Sequence, residues 1–312
     1  MSLMEKLKIN PQAETVKIEK FISTQLKDLG KDGVVLGLSG GLDSSVCAYL
    51  CTRVLRKDKI LTIILPEKDN NPLNMEHAKL IAKTLQLPTK TISLTSFLEQ
   101  IGVYKLFTDE ERSNREKVEG LIKGLGKVLK TPSLFTTGMS FQYGGKFGLK
   151  EKVERKLLLP YSKKFLALTY AKVRLRMLLL YYYAALNNYL VIGTTDKTEW
   201  TVGFYDKYGD GANDITLLRH LYKTQIRQLA SYLGVPKEII QKPSSGDLIA
   251  KLPNEVIMGF TYEQLDQILY GLEKGMSDQN IAGEVGIDKG SVQTIKTAIT
   301  IEQVKREMPR HL

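Results

Sequence analysis

The chain has 312 residues, 43% hydrophobic and 25% charged, the balance of a water-soluble globular protein with room for one large domain, or one with an appendage. Its formal net charge of +11 favours anionic partners, and nucleotides suffice for that as well as nucleic acid. The most apolar stretch, 177–190, is interrupted by Asn187 and Asn188, and the opening MSLMEKLKIN has no apolar signal core, so a membrane span is excluded and a cytoplasmic protein is expected.

In chain order, residues 14–29 carry helical spacing at Val16, Phe21, Ile22, Leu26 and Leu29. The run VVLGL, 34–38, reads as a buried strand, and the chain returns to an apolar helical pattern from Ser44. KILTIIL, 59–65, is a second strand ended by Pro66; residues 72–87 form a helix with Ala78, Leu80, Ile81, Ala82 and Leu85 on its apolar side; 89–94 is a third strand. Strands alternating with helices at this spacing imply right-handed crossovers, hence an α/β fold with an open, mostly parallel twisted sheet and helices on both faces. Residues 104–165 break the rhythm with fourteen Lys/Arg against seven Asp/Glu and seven glycines. They read as an insertion or mobile cover, either a solvated surface or a contact for a polyanion. A long helix over 166–186, a strand over 189–192 and a helix from Ile215 follow. From Thr261 to about Ile301 the chain reads as a helical C-terminal segment.

Two features have bland and sharp readings. Cys47 and Cys51 lie four apart on one predicted helix with no histidine nearby, so buried small apolar residues are favoured over a metal pair. Residues 277–295, SDQNIAGEVGIDKGSVQTI, have the spacing of a helix-turn-helix. Such a pair can read DNA or serve only as a packing unit, and packing is favoured. Of the histidines, His77 and His311 have no constellation around them, and His220 is read as structural.

The chemistry concentrates in two places. Ser39-Gly40-Gly41-Leu42-Asp43-Ser44-Ser45 lies between a strand and a helix, where free backbone N–H groups and the helix dipole attract an anion. Glycines let the backbone approach and the serines add hydroxyl donors. No GxxxxGK[ST] occurs, so this is not the usual kinase or GTPase loop. Asp43, an acid in an anion cradle, calls for an intervening cation and is a natural Mg²⁺ ligand, a role compatible with a first-turn acid. The second place is 191–240. There a strand runs out at Gly193-Thr194-Thr195, and Glu199, Asp206, Asp210 and Asp214 crowd into a glycine-rich turn at the carboxyl edge of the sheet, where open α/β sheets bind ligands.

The pattern SGGxDS resembles the loop of the ATP pyrophosphatases, which split ATP between its α and β phosphates. SGGLDSSV, KVRLRMLLLYYYA, GTTDKTE, KYGDGAND and LYKTQIRQLASYLGVP, in that order, resemble ammonia-dependent NAD synthetase over most of the chain outside 104–165. The resemblance implies a Rossmann-like single domain over 1–312, with the basic stretch as insertion or lid and the helical segment at about 261–303. It implies that Ser39, Gly40, Gly41, Ser44 and Ser45 hold the pyrophosphate end of ATP, with Thr194 near the nucleotide and Lys223 on its phosphates. Asp43, Glu199 and Ser245 of KPSSGDL would hold Mg²⁺, with Ser245 also near ATP. Arg176, Lys207, Asp210 and Asp214 would contact the dinucleotide, and Asp43, Lys223 and Asp210 would carry the chemistry. The implied reaction turns nicotinic acid adenine dinucleotide and ammonia into NAD through an acyl adenylate, in a homodimer. The chain departs from the family pattern at Tyr170, Val256, Ile257 and Val304. Two rivals remain open at this point: a paralogue that adenylates another carboxylate or a tRNA base, and a nucleotide-sensing DNA-binding regulator. No segment resembling a glutaminase is found, so free ammonia or ammonia from a separate protein is the expected nitrogen donor.

Overall fold

Val34, Val35 and Leu36 are fully buried, and the strand they form, β1 (Gly33–Gly37), is the middle of the molecule. The computed structural model of the chain describes residues 1–114, 116, 119, 120, 149–248 and 252–307, and the backbone alone at 149–162. β2 (Ile60–Ile64), β3 (Thr89–Thr91), β4 (Tyr189–Gly193) and β5 (Ile215–Thr216) complete a sheet of order β3-β2-β1-β4-β5. Every neighbouring pair is parallel, and Val34 lies opposite Ile60 on one side and Leu190 on the other.

The period of two along each strand divides the core. Val34, Leu36, Leu190 and Ile192 join one apolar cluster with Ile18, Ile22 and Leu26 of α2 (Pro11–Asp28) and with Val46 and Leu50 of α3 (Leu42–Val54). Val35, Ile63 and Val191 point the other way, onto Leu168, Met177 and Leu180 of the long helix Leu149–Asn187. A sheet covered on both faces needs apolar residues at every strand position, which is why these strands read as continuous runs. α2 starts where Asn10 accepts the Ala13 N–H at 3.1 Å and Pro11 takes the first helical position, both strong start signals.

The helix expected from Ile215 begins instead at Lys223. Residues 215 and 216 are the edge strand: Ile192 pairs with Ile215, and Asp214 extends the ladder by accepting from Val191 N at 2.7 Å and donating its own N–H to Val191 O at 3.1 Å. Ile215, Leu218 and Tyr222 are at helical spacing but are buried from an irregular path, so periodicity alone misreads them. The third strand is shorter than expected, and the long helix reaches back to Leu149. Of the basic stretch, 149–165 is therefore helical, and Tyr104 and Arg112 are buried. Residues 121–148 and His311 lie outside the described residues.

Beyond the sheet, the helices Tyr262–Glu273, Asp278–Val285 and Lys289–Arg306 follow one another. The helix-turn-helix spacing is realised around Gly286, with φ +74, and its apolar positions Ile281, Ala282, Val292 and Ile295 enter a third cluster with Tyr262 and Leu265. Cys47 and Cys51 are free and buried in the first cluster, and burial pushes both thiols up, Cys51 to about 12. They are inert packing.

Candidate active site

β1 and β4 lie side by side although the chain leaves them in opposite directions along the sheet. This is the switch point at which open parallel sheets form a crevice. Beyond β1, Leu38 N still donates to Ile63 O at 2.9 Å, and the chain then turns through Ser39, Gly40 and Gly41. Gly40 has φ +72, and a Cβ there would sit 2.0 Å from the Asn74 carbonyl oxygen, so only glycine fits. Gly41 is the N-cap of α3 and gives it no side-chain cap. The first-turn amides are thus left for an anion. Ser39 Oγ lies 2.9 Å from Ser44 Oγ, and Ser45 Oγ donates to Gly41 O at 2.7 Å. Ser44 and Ser45 are buried and shape the loop from behind.

Next to this loop lies a charge cluster around Lys223, which opens its helix and is fully buried. Its Nζ lies 2.8 Å from both Asp43 oxygens, 2.8 Å from Asp196 Oδ2 and 3.3 Å from Glu199 Oε1. Asp196 and Glu199 are placed by a capping box at the helix Lys197–Val202: Asp196 Oδ1 accepts the Glu199 N–H at 2.7 Å, and Glu199 Oε2 accepts the Asp196 N–H. Tyr262 then donates to Glu199 Oε1 at 3.0 Å, backed by Asn254 donating to the Tyr262 hydroxyl at 2.9 Å.

Three carboxylates share one ammonium. Burial, and then the charge of Asp196, push Glu199 up to about 8; burial likewise lifts Asp196 to about 6 against the pull of Lys223. Burial opposes the Lys223 charge, yet Asp196, Asp43 and Glu199 together hold it ionised far above the ordinary lysine range. The cluster is short of positive charge. Among the described residues no three His, Cys, Asp or Glu side chains form a ready-made metal cage. Mg²⁺ does not need one: it takes one or two carboxylates and completes its shell with water and substrate phosphates. Asp43 and Glu199, both facing the crevice, fit that habit.

The crevice is a cavity of about 400 Å³. Of the residues expected at the site, Ser39, Gly41, Asp43, Arg176, Thr194, Glu199, Asp210 and Ser245 line it. Lys223 stands behind Asp43 and Glu199. Gly40, Ser44 and Ser45 form the back of the phosphate loop, off the cavity lining. Arg176 makes no hydrogen bond or ion pair among the described residues; burial draws its guanidinium down while Glu67, Asp247 and Asp210 oppose that. Asp210 accepts the Asp206 N–H at 2.7 Å. The hydroxyl of Ser245 donates to Leu252 O at 2.7 Å and accepts from Asp247 N at 3.0 Å. Lys207 and Asp214 lie off the lining: Lys207 donates to the Glu307 carbonyl, and Asp214 accepts from Tyr181 besides Val191. Tyr170, one of the departures, stacks on the Arg174 guanidinium at 4.7 Å, while Arg174 grips Asp206 with two bonds of 2.7 and 2.9 Å. Ile257, another, lines the cavity, and with Val256 it packs on Leu252.

Several site residues escaped sequence reading. Asp196 could have been found, since TDKTE is a capping-box pattern. Tyr262 and Asn254 had no local signal, Lys242 opens KPSSGDL but was passed over there for Ser245, and His77, dismissed for want of neighbours, lies 3.2 Å from Lys242 Nζ.

Known proteins agree with this geometry. The family model described as NAD synthase matches residues 14–123 and 152–309. The NH(3)-dependent NAD(+) synthetase of Coprothermobacter proteolyticus is 38% identical over 272 residues, covering 86% of this chain and 87% of that one. The enzyme of the same name from Methanocaldococcus jannaschii is 36% identical over 293 residues, covering 94% and 93%. Among solved structures, NMN synthetase from Francisella tularensis superposes with a TM-score of 0.69 at 25% identity, covering 98% of this chain and 99% of that one. NH3-dependent NAD synthetase from Campylobacter jejuni, in complex with the nitrate ion, gives 0.64 at 26%, covering 98% and 100%. On this match along most of its length, the chain belongs to the NAD synthase family.

Proposed function

We propose that the chain amidates nicotinic acid adenine dinucleotide with ammonia, driven by ATP, to give NAD, AMP and pyrophosphate. The observation that carries this reading is the meeting in one cavity of an uncapped helix N-terminus, an acidic pair beside it and the unpaired Arg176. A carboxylate oxygen of the dinucleotide attacks the α phosphorus of ATP, and the bond to the bridging oxygen of pyrophosphate breaks. Ammonia then attacks the acyl carbon of the adenylate, loses a proton, and AMP departs.

Each group has a task in that sequence. The Ser39 hydroxyl and the amides opening α3 receive the departing pyrophosphate. Lys223 holds Asp43 and Glu199 in place beside the cavity, and Mg²⁺ held by them, with Ser245 nearby, would offset charge on the phosphates. Arg176 suits an anionic group of the dinucleotide, and Asp210, on the same wall, its polar part. Thr194 stands at the end of β4 beside the nucleotide. Lys207 and Asp214, off the lining and engaged with the Glu307 carbonyl and with Val191 and Tyr181, have no contact with the dinucleotide in this reading.

The family match to both ends of the chain supports reading 1–312 as one unit. Leu178, Tyr182 and Leu186 are exposed at 64%, 55% and 63% and fall at i, i+4 and i+8 on one face of the long helix. An apolar stripe of this kind supports a homodimer. Among the described residues no helix is long and apolar enough to cross a membrane, and the nucleotide substrates support a cytoplasmic site of action.

The test is one assay with ATP, Mg²⁺, ammonium and the dinucleotide, followed for AMP and NAD together. NAD forming in step with AMP is the expected result. AMP and amide formed only when nicotinic acid mononucleotide replaces the dinucleotide would overturn the choice of substrate. No amide from either would overturn the activity.

A further inference from the structure

One side-chain amide joins two loops that no sequence motif links. Asn74 Oδ1 accepts from Lys242 Nζ at 2.7 Å, and Asn74 Nδ2 donates to Asp247 Oδ2 at 2.7 Å. Asp247 also accepts the Asn71 N–H at 2.8 Å, and its carbonyl accepts from Asn70 Nδ2 at 2.9 Å. The loop 242–248 is thereby fastened at both ends to the start of α4 (Pro72–Leu85). Lys242 goes further: its Nζ donates to the carbonyl of Gly40 at 2.6 Å and lies 3.2 Å from His77 Nδ1. An ammonium has only donors, so that ring nitrogen accepts and His77 is neutral, in keeping with the burial, and then the Lys242 charge, that lower its pKa.

The Gly40 carbonyl matters because a trans peptide sets C=O and the next N–H on opposite sides. Tying Gly40 O to an ammonium fixes the direction of the Gly41 N–H, which donates to Ser39 Oγ at 3.2 Å and so sets the Ser39 hydroxyl that lines the cavity. Were this peptide to flip, an oxygen would replace an amide hydrogen in the phosphate loop. Asn74 guards the same point with its main chain, whose oxygen leaves no room for a Cβ at Gly40.

We propose that Lys242 and Asn74 are positioning residues for adenylation, locking the Gly40–Gly41 peptide and the loop 242–248 into one frame so that ATP phosphates meet the Ser39 hydroxyl, held by the Gly41 N–H, rather than the Gly40 carbonyl oxygen. This rests on the ATP-dependent amidation proposed above. Burial pulls the Lys242 ammonium down to about 8, against the favourable charge of Asp247. The other charged groups facing this corner, Glu238 and Glu76, act on His77. A lowered lysine pKa means that the locking, charged form is complete well below pH 8, half present near it and lost above it.

The experiment is dinucleotide-dependent ATP–pyrophosphate exchange without ammonium, so that titration of ammonia does not enter, on wild type, Lys242→Met, Lys242→Arg and Asn74→Leu. Lys242→Met should lower kcat for exchange about 100-fold, the scale of a misplaced reactive geometry, with KM for the dinucleotide unchanged. Wild-type exchange should fall above about pH 8, and Lys242→Arg should retain activity and lose that fall. Should Lys242→Met not fold, Asn74→Leu is expected to show the same kcat loss at constant dinucleotide KM. Lys242→Met within twofold of wild type, or an alkaline fall that persists in Lys242→Arg, overturns the proposal while wild-type NAD formation keeps the activity. A wild type that forms no NAD overturns both.

Discussion

Asp43 and Lys223 touch each other yet answer differently to mutation. Asp43→Asn removes one of three carboxylates from around a single ammonium, so the charge imbalance eases. Expected is a loss of AMP release of at least ~100-fold, on the scale of a lost metal-site group, with a melting temperature equal to or above wild type. An Asp43→Asn protein with normal turnover would remove Asp43 from the site. Lys223→Met does the reverse and strands three acids with no counter-charge. Breaking a buried pair in this way costs roughly 3–5 kcal/mol, which urea unfolding would register beside the loss of adenylation. At this scale the sequence was legible where chemistry is local. SGGLDSS marked the strand–turn–helix junction that opens onto the cavity, with Asp43 on its wall, because strand, turn and helix start are adjacent in the chain. Tyr262, which holds Glu199 across 63 residues, and Lys242, which reaches Asn74 across 168, were not legible, because each acts through a contact that only folding creates.

Among the elements, α3 and the long helix make the firmest claims. Gly40→Ala should break the turn feeding α3, since its Cβ would strike the Asn74 carbonyl and φ +72 disfavours any side chain. Weaker ATP binding, read by calorimetry, is the expected sign; unchanged binding would mean that the turn can relax. Leu178→Asp with Tyr182→Ser should turn a dimer into monomers in sedimentation analysis. If the wild type already sediments as a monomer, the exposed stripe has another use. Periodicity recovered α2 and α4 because each carries a regular apolar face, and unbroken apolar runs recovered β1 and β4. It failed after Ile215, where Ile215, Leu218 and Tyr222 mimic a helix while an edge strand and a loop bury them. Local pattern reports that a residue is buried; it does not report by what.

Taken whole, the molecule uses its helix-turn-helix for packing against its own sheet domain. The helix-turn-helix is present, but Lys305, near the end of its second helix, is buried with Glu302 and donates to the carbonyls of Gly203 and Tyr205 at 2.7 and 2.8 Å. That helix reaches the cavity lining through Lys305, and its apolar face fills the third cluster. No retention of duplex DNA is expected even at roughly 50 mM salt, where phosphate contacts are strong; retention that weakens steeply with added salt would restore the regulator. The parallel sheet and the two-faced core followed from the order of elements alone, whereas the third cluster, which joins Leu7 to Tyr262 and Ile295, could not be read from any single segment.

The central place of β1 has a consequence for biosynthesis. Gly33 pairs with Tyr189, and Asp43 meets its ammonium in Lys223, so the first strand made waits for partners made much later. At about 5–20 residues per second, one edge of β1 stays open for on the order of ten seconds, exposed to the wrong neighbours on a crowded ribosome. A nascent or broken chain that ends before Lys223 carries Asp43, Asp196 and Glu199 without the ammonium they share, so its acids stay unorganised until the later chain arrives.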